Sequence, residues 1–319
     1  MDSGIQSEIR GGMAPRKTRS GEGKAHRFGG DWTGAKLEVL AKYLSGYTTA
    51  LKKQPFVKGY IDAFAGTGYR TARKDRADPS SQDLLFPDLA GNEPQTLLDG
   101  SARLALKTEP RFDKYVFIER SAERCAALEA LKSEFLHLAN DITIRQGDAN
   151  IEIRDLCDKD KNWSLHRAVL FLDPYGMQVE WKTIVAIAET KAIDMWLLFP
   201  LGIGVNRLLT RSGDIPESWQ HRLDLLLGTN AWRDEFYSVQ KTSTLFGPAE
   251  QVEKATTHSI GRYFNERLKT VFAAVAEQPR ILRNSASSPL YLLCFAAGNA
   301  RGAPVALRIA NHLLTKGVQ

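Results

Sequence analysis

The sequence predicts an α/β fold in which helices cover both faces of an open, mostly parallel sheet. Three observations support this prediction. Apolar runs of strand length alternate with segments of helical periodicity between residues 33 and 200. These runs are apolar throughout, as strands buried on both faces are. A late pair of apolar runs surrounds the short polar segment 284–288, which predicts an antiparallel hairpin at the end of the sheet.

The first part of the chain supplies five strands and the helices between them. Leu37, Leu40, Leu44 and Tyr47 recur at helical spacing, which predicts a first helix with Thr33 as its N-cap. The predicted strands are, in order, FVKGYIDAFAG, KYVFIER, DITIRQGDAN, RAVLFLDPYG and AIDMWLLFP. The later helices of this part are DGSARLALKTEP, capped by Ser101 or Asp99, then SAERCAALEALKSEFLHLA and EWKTIVAIAET.

The second part of the chain is predicted to add a helical layer and then to complete the sheet. Residues 201–280 contain PESWQHRLDLLLG and HSIGRYFNERLKTVFAAVAEQ, which read as helices, and no convincing strand. PRILRNSASSPLYLLCFAAGN then forms the hairpin, and PVALRIANHLL is the last helix. We therefore predict a basic disordered tail at 1–30, a core at 31–200, a helical insertion at 201–280 and completion of the core at 281–319.

Composition excludes several classes of protein. The chain has 319 residues, of which 43% are hydrophobic and 25% charged, as in an ordinary globular protein. No run approaches the roughly 18 apolar residues of a membrane span, and the N-terminus has no apolar signal segment. The three cysteines lie far apart, which favours reduced thiols and a cytoplasmic location. The six histidines show no metal-binding spacing, so no metal is expected.

Polar side chains stand at the ends of four successive predicted strands. Asp62 ends the first, Glu119 the second, Asp148 follows the third and Asp173 the fourth. In an open parallel sheet, ligands bind beyond the carboxyl ends of the strands. Glu119 suits the two hydroxyls of a ribose, and Asp148 suits an exocyclic amine of adenine. Taken singly, a strand-terminal acid has an ordinary alternative, since Glu119 suits helix initiation and Asp148 an Asx turn.

The glycines after the first strand help to separate the nucleotide cofactors. Gly66 and Gly68 let a ligand approach the backbone, and Phe64 lies in the same turn. No Lys-Ser or Lys-Thr follows, as a P-loop requires, and no third glycine opens a helix, as a dinucleotide site requires. S-adenosylmethionine (SAM), a nucleoside without a pyrophosphate, suits the pattern better. Asp62 would then pair with the ammonium group of its methionine part.

The order YIDAFAGTG, VFIER, QGDAN and FLDPYG resembles class I SAM-dependent methyltransferases. More closely, the chain is similar to the bacterial three-Cys-motif partner (TcmP) proteins over roughly residues 31–316. The shared patterns are T-x-x-K-L-x-x-L-x-x-Y-L from Thr33, D-x-F-A-G-x-G, F-L-D-P-[FY]-G and PLYLLCFA. The resemblance implies a Rossmann-like methyltransferase sheet and a partner protein that carries the three-cysteine motif, but no established substrate.

The segment Asp173-Pro174-Tyr175-Gly176 indicates what is methylated. Amino methyltransferases often carry Asp/Asn-Pro-Pro-aromatic here, so the tyrosine directly after Pro174 departs from that pattern and resembles tRNA guanine-N2 methyltransferases instead. We expect N-methylation of a nucleobase, with Asp173 and the Pro174 carbonyl holding the amine and Tyr175 supporting the base. The alternative for Tyr175 is a packed aromatic ring.

Basic residues follow the glycine turn and suggest contacts with phosphates. They lie in a long polar loop and are Arg70, Arg73, Lys74 and Arg76. Together with a net charge of +6, they favour RNA, DNA or a nucleoside as substrate. A second hypothesis is a non-catalytic or regulatory subunit that keeps the methyltransferase fold while its partner performs the chemistry.

Overall fold

The computed structural model describes residues 31–65, 100–158, 160–174, 176–244 and 247–316. The helices are α1 Asp31–Ala50, α2 Ser101–Leu106, α3 Ala122–Glu134, α4 Ala149–Leu156, α5 Trp181–Glu189, α6 Asn206–Leu208, α7 Glu217–Leu227, α8 Trp232–Phe236, α9 Thr257–Lys269 and α10 Ala303–Thr315. The strands are β1 Val57–Asp62, β2 Lys114–Glu119, β3 Ile142–Gln146, β4 His166–Leu172, β5 Ile193–Phe199, β6 Tyr237–Thr244, β7 Gly247–Lys254, β8 Ala274–Val275, β9 Arg280–Arg283 and β10 Pro289–Ala297.

The main sheet is mostly parallel and has the order β3-β2-β1-β4-β5-β10-β8, with β9 also paired to β10. Strands β1 to β5 are parallel, and β10 runs antiparallel between β5 and β8. The order 3-2-1-4-5 places a topological switch point between β1 and β4, where doubly wound folds bind ligands. The structure thus confirms the predicted Rossmann-like methyltransferase sheet with an antiparallel C-terminal part.

Both faces of the sheet are covered by apolar side chains. Alternate residues of one strand enter the two cores: Tyr60 of β1 packs on the face of α1, α2, α3 and α10, and Ile61 packs on the face of α4, α5, α7 and α9. In β4, Phe171 packs on the same face as Tyr60, and Leu172 packs on the same face as Ile61. This burial on both sides explains why the strands read as continuous apolar runs. In the described residues no helix has the length and apolar content of a membrane span.

The caps of α1 and α2 differ from those predicted. Helix α1 begins at Asp31, so Thr33 lies inside its first turn and is not the N-cap. Helix α2 begins at Ser101 after an N-cap at Gly100 that has no side-chain hydrogen bond, and Asp99 lies outside the described residues. The Ser101 hydroxyl bonds instead to the side chain of Asp62. The prediction of Ser101 as a cap was therefore wrong, because its hydroxyl bonds to a carboxylate at the strand ends.

Residues 201–280 are not entirely helical, contrary to expectation. A short π-helix at Leu201–Val205 follows β5, and α6 to α8 come next. Strands β6 and β7 then form a separate two-stranded antiparallel hairpin. Its facing residues Val239 and Val252 are exposed, and none of the side chains described in residues 237–240 and 251–254 is buried, so these residues show no alternating apolar pattern. Helix α9 also ends earlier than predicted, before the short strand β8.

The C-terminal hairpin forms where it was predicted. Strand β9 pairs with β10 around the segment 284–288. The Asn284 side chain accepts hydrogen bonds from the amides of Ala286 at 3.0 Å and Ser288 at 2.8 Å. Because this asparagine satisfies the backbone of the turn, it fixes the return of the chain into the sheet.

Candidate functional site

The four predicted acids lie along one edge of the sheet. Asp62 pairs in register with Phe117 of β2 and with Phe171 of β4. Glu119 therefore lies two residues beyond Phe117, and Asp173 lies two residues beyond Phe171. Asp148 follows in the same way, two residues beyond Gln146, the register partner of Glu119. Parallel register thus aligns all four carboxylates at the carboxyl ends of β1 to β4, around the switch point.

Asp62 is the most deeply buried of the four acids, with no exposed surface. Its Oδ2 accepts a hydrogen bond from the Tyr60 hydroxyl at 3.2 Å, and its Oδ1 accepts one from the Phe64 amide at 3.3 Å. The amide of Phe64 thus holds the turn after β1 against the carboxylate. This turn ends the described segment at Ala65, and Gly66 and Gly68 lie outside the described residues.

The surroundings of Asp62 disfavour its charged form. Burial is the main cause and raises the pKa of Asp62 to about 6, while hydrogen bonds from Ser101 and Phe64 lower it. The negative charge of Asp173 raises the pKa further. A cationic group placed beside Asp62 would relieve both unfavourable effects. The carboxylate acceptors at this edge therefore fit a ligand that carries an ammonium group.

Asp173 forms an ion pair that the sequence did not reveal. The Nζ atom of Lys36, on α1, lies 2.5 Å from Asp173 Oδ2. The lysine side chain is 5% exposed and the aspartate side chain 25% exposed. The ammonium also lies 4.8 Å from the centre of the Trp32 ring. Lys36 was visible only as part of the T-x-x-K pattern and as a polar residue within the apolar stripe of α1.

Other predicted residues around Asp173 are only partly described. Pro174 is buried directly after it, and Gly176 has a left-handed φ of +71°. Tyr175 lies outside the described residues, as do the predicted phosphate contacts Arg70, Arg73, Lys74 and Arg76. Their roles stay predictions.

Glu119 is buried at the end of β2 and serves the start of α3. Its Oε1 accepts a hydrogen bond from the Ser121 amide at 2.8 Å and lies 3.7 Å from Arg124 Nη1. The Ser121 hydroxyl in turn caps α3 by accepting from the Arg124 amide. The helix-initiation interpretation is therefore correct for this carboxylate, and a ribose would have to bind in addition to these contacts.

Asp148 is the N-cap of α4 and is exposed. Its Oδ1 accepts from the amides of Asn150 at 2.9 Å and Ile151 at 3.3 Å. The turn interpretation therefore also applies to this acid. Both capping bonds use the same oxygen, so the capping role leaves the other oxygen without a contact to these amides.

Asn150 links two parts of the site and was not predicted. Its Nδ2 donates to the carbonyl of Gln178 at 2.9 Å, and its Oδ1 accepts from the Glu180 amide at 3.0 Å and the Thr183 hydroxyl at 2.9 Å. These bonds join the start of α4 to the segment that follows Asp173 and leads into α5. The signal in the sequence for these contacts was an asparagine at a helix position whose side chain is buried.

Other chemistries find little support in the described part of the chain. No group of His, Cys, Asp and Glu residues there is arranged to hold a metal ion. Burial raises the pKa of Cys157 to about 12, which disfavours a thiolate nucleophile. In the 201–280 region, Trp232 is in the core and Arg233 bonds to Gln220 and Asp224. These two residues therefore contact their own part of the chain: the Arg233 guanidinium lies 4.7 Å from the centre of the Trp232 ring.

Comparison with known proteins gives structural likeness only. No family model matches the chain, and no curated protein matches it. A Legionella pneumophila protein of family model DUF519 is 11% identical, with 88% of this chain and 91% of that chain covered and a TM-score of 0.43. Spermidine synthase from Thermotoga maritima is 10% identical, with 91% and 67% covered and a TM-score of 0.39. The O-methyltransferase TomG from Streptomyces achromogenes, in complex with SAM, is 12% identical, with 70% and 80% covered and a TM-score of 0.32.

These values are too low to support an argument about function. The assignment of the fold rests on the strand order and on the antiparallel β10, which the molecule itself displays. The chain therefore has the Rossmann-like fold of class I methyltransferases, with acidic side chains at its switch point.

Proposed function

We propose that this protein is a SAM-dependent methyltransferase of the TcmP family that N-methylates an exocyclic amine of a nucleobase in RNA or DNA. The single observation that carries the proposal is the pair Asp62 and Asp173 at the switch point, close enough for the charge of one to raise the pKa of the other. Each is held by hydrogen bonds or an ion pair in a buried corner of the strand ends.

The cofactor would be held by the acids on the β1 to β3 side. Asp62 would pair with the ammonium of the methionine part, which offsets the cost of burying its carboxylate. Glu119 would accept from the ribose hydroxyls, and Asp148 from the adenine amine, with the oxygen that does not cap α4. When bound, SAM supplies a methyl group on a positively charged sulfur, and transfer forms the N–C bond as the C–S bond breaks with its electron pair left on sulfur.

Asp173 would act on the acceptor. Its carboxylate and the Pro174 carbonyl would accept hydrogen bonds from the two protons of the amine, so that the nitrogen lone pair points at the methyl carbon. This is a task of positioning, which contributes a large part of the rate when two reactants must meet in line. The methylated nitrogen releases one proton, which leaves with solvent or through Asp173.

The test of this function is methyl transfer by the isolated protein. Calorimetric titration first establishes SAM binding, and labelled SAM is then incubated with bulk RNA and with denatured DNA. Asp173→Asn should reduce transfer at least 100-fold while the affinity for SAM stays within a few fold, because Asp173 contacts the acceptor. Full activity of this variant would refute the assigned role. SAM binding without transfer to any pool would favour the subunit that leaves catalysis to its partner.

A further inference from the structure

The buried face of α1 changes character along its length. Its middle is apolar or aromatic, and its first turns bury two polar side chains, Thr33 and Lys36. Thr48 near its end is also buried, but its hydroxyl donates to the Leu44 carbonyl of the same helix. The helix runs antiparallel to the strands: the Tyr43 hydroxyl donates to Asp194 near the start of β5, whereas Lys36 reaches Asp173 beyond the end of β4. The polar part of the helix therefore lies at the strand ends, where the candidate site is.

Lys36 approaches Asp173 from the inside of the protein. Its ammonium lies beside the ring of Trp32, and that ring packs against Tyr291 of β10 at 5.1 Å. With 5% of its surface exposed, Lys36 is held by packing as well as by the ion pair. Asp173 is a quarter exposed, so its outer part remains accessible to a ligand. Lys36 is thus placed to remain paired with Asp173 when an acceptor binds.

We propose that Lys36 is a positioning residue of the methyl-transfer site, which holds Asp173 Oδ2 inward and compensates the charge of Asp173. The inference rests on the proposed function. With Oδ2 bound to Lys36, the remaining lone pairs of Asp173 face the acceptor. A carboxylate compensated in this way accepts hydrogen bonds from a neutral amine, which is the form that carries the reactive lone pair.

The charges around Asp173 make this role necessary. Lys36 faces it from α1, and Asp62 faces it from β1 beside the Tyr60 hydroxyl, while Ser101 of α2 bonds to Asp62. Without Lys36, two carboxylates would share one partly buried corner, and their repulsion would favour a position of Asp173 turned away from Asp62. A reoriented Asp173 would no longer accept a hydrogen bond from its amine proton, the other proton being held by the Pro174 carbonyl.

The experiment compares the binding of SAM and S-adenosylhomocysteine (SAH), which lacks the methyl group and the charge on sulfur. Affinities are measured by calorimetry for the wild type, Lys36→Met and Lys36→Arg. In Lys36→Met the charge of Asp173 is uncompensated, so we expect the preference for SAM over SAH to rise about tenfold. Lys36→Arg keeps the charge and should keep the ratio within about twofold. A purely structural lysine would weaken both ligands equally.

Asp173→Asn is the second variant and should lower the preference for SAM over SAH by a few fold, because it leaves the charge of Lys36 uncompensated. Thermal unfolding of each ligand-free variant shows that it is folded at the assay temperature. Wild-type protein that binds SAM, with the same SAM to SAH ratio in Lys36→Met and Asp173→Asn, would overturn the role of Lys36 and leave the methyltransferase intact. Wild-type protein that binds neither ligand would overturn the proposed function itself.

Discussion

Replacing Asp62 by asparagine should stabilise the protein at pH 8 and weaken its binding of SAM. Asp62 is fully buried, and its pKa is raised from 3.8 to about 6, mainly by burial. At pH 8 the folded protein must keep this carboxylate charged in a place that disfavours the charge. The asparagine side chain has nearly the same shape without that charge, and it also lacks the carboxylate that, in the proposed function, pairs with the ammonium of the cofactor.

The magnitude and sign follow from proton linkage. Because the folded state binds the proton of Asp62 more tightly than the unfolded state, the stabilisation is complete below pH 3.8 and is lost as the pH rises through about 6. A change of one pKa unit corresponds to about 1.4 kcal/mol, so the raised pKa of Asp62 lowers the free energy of unfolding at pH 8 by about 3 kcal/mol. The variant should therefore gain at most about 3 kcal/mol at pH 8, less whatever its amide loses in hydrogen bonds.

Asp194 provides a matched control within the same chain. It is also buried, with 7% of its surface exposed, and burial raises its pKa to about 6, as for Asp62. Its carboxylate accepts from the Tyr43 hydroxyl at 2.8 Å and the Gly298 amide at 3.3 Å, at the start of β5 and away from the candidate site. Asp194→Asn should change the pH dependence of stability to a similar extent and leave the affinity for SAM unchanged.

The assay is urea unfolding of the two variants and the wild type between pH 4 and pH 8, with SAM affinity measured by calorimetry at pH 8. The difference between wild type and variant removes the contribution of surface acids such as Asp141, whose pKa is lowered. An Asp62→Asn protein whose stability follows pH as steeply as the wild type would refute the reasoning about burial. Unchanged SAM affinity would refute the role of Asp62 in binding.

Three further substitutions, at two positions, test the site and the fold. Asp148→Ser keeps an N-cap on α4 and should change stability by less than about 0.5 kcal/mol while weakening SAM binding, whereas Asp148→Ala should cost about 1 kcal/mol as well. Equal SAM affinity in the wild type and the serine variant would restrict Asp148 to capping. Gly228→Ala places a Cβ 2.0 Å from the Trp181 ring at a φ of +67°, so it should cost more than about 2 kcal/mol in urea unfolding. A smaller loss would show that α5 and α7 can move apart.

The strand ends were predictable because each depends on local sequence and on one general property of parallel sheets. Continuous apolar runs mark strands buried on both faces, and parallel register brings their carboxyl ends to one edge. Asp62 and Asp173 could therefore be placed together without knowledge of any contact. The hairpin of β6 and β7 escaped prediction for the converse reason, since exposed residues such as its facing Val239 and Val252 carry no periodic signal of burial.

The contacts of the site depend on packing and could not be read in the same way. Lys36 and Asp173 are 137 residues apart, and their meeting depends on the position at which α1 crosses the sheet. The sequence did contain a trace of it. Thr33 and Lys36 fall on the buried stripe that Leu40 and Tyr43 continue, so the first two turns of an amphipathic helix place two polar residues on its buried side. Burying an ammonium without a partner is too costly, so a lysine on such a stripe implies an acid nearby, and the strand-end carboxylates were the nearest candidates. A polar interruption of an apolar stripe thus indicates where a helix contacts the carboxyl edge of the sheet, as Lys36 of α1 does at Asp173.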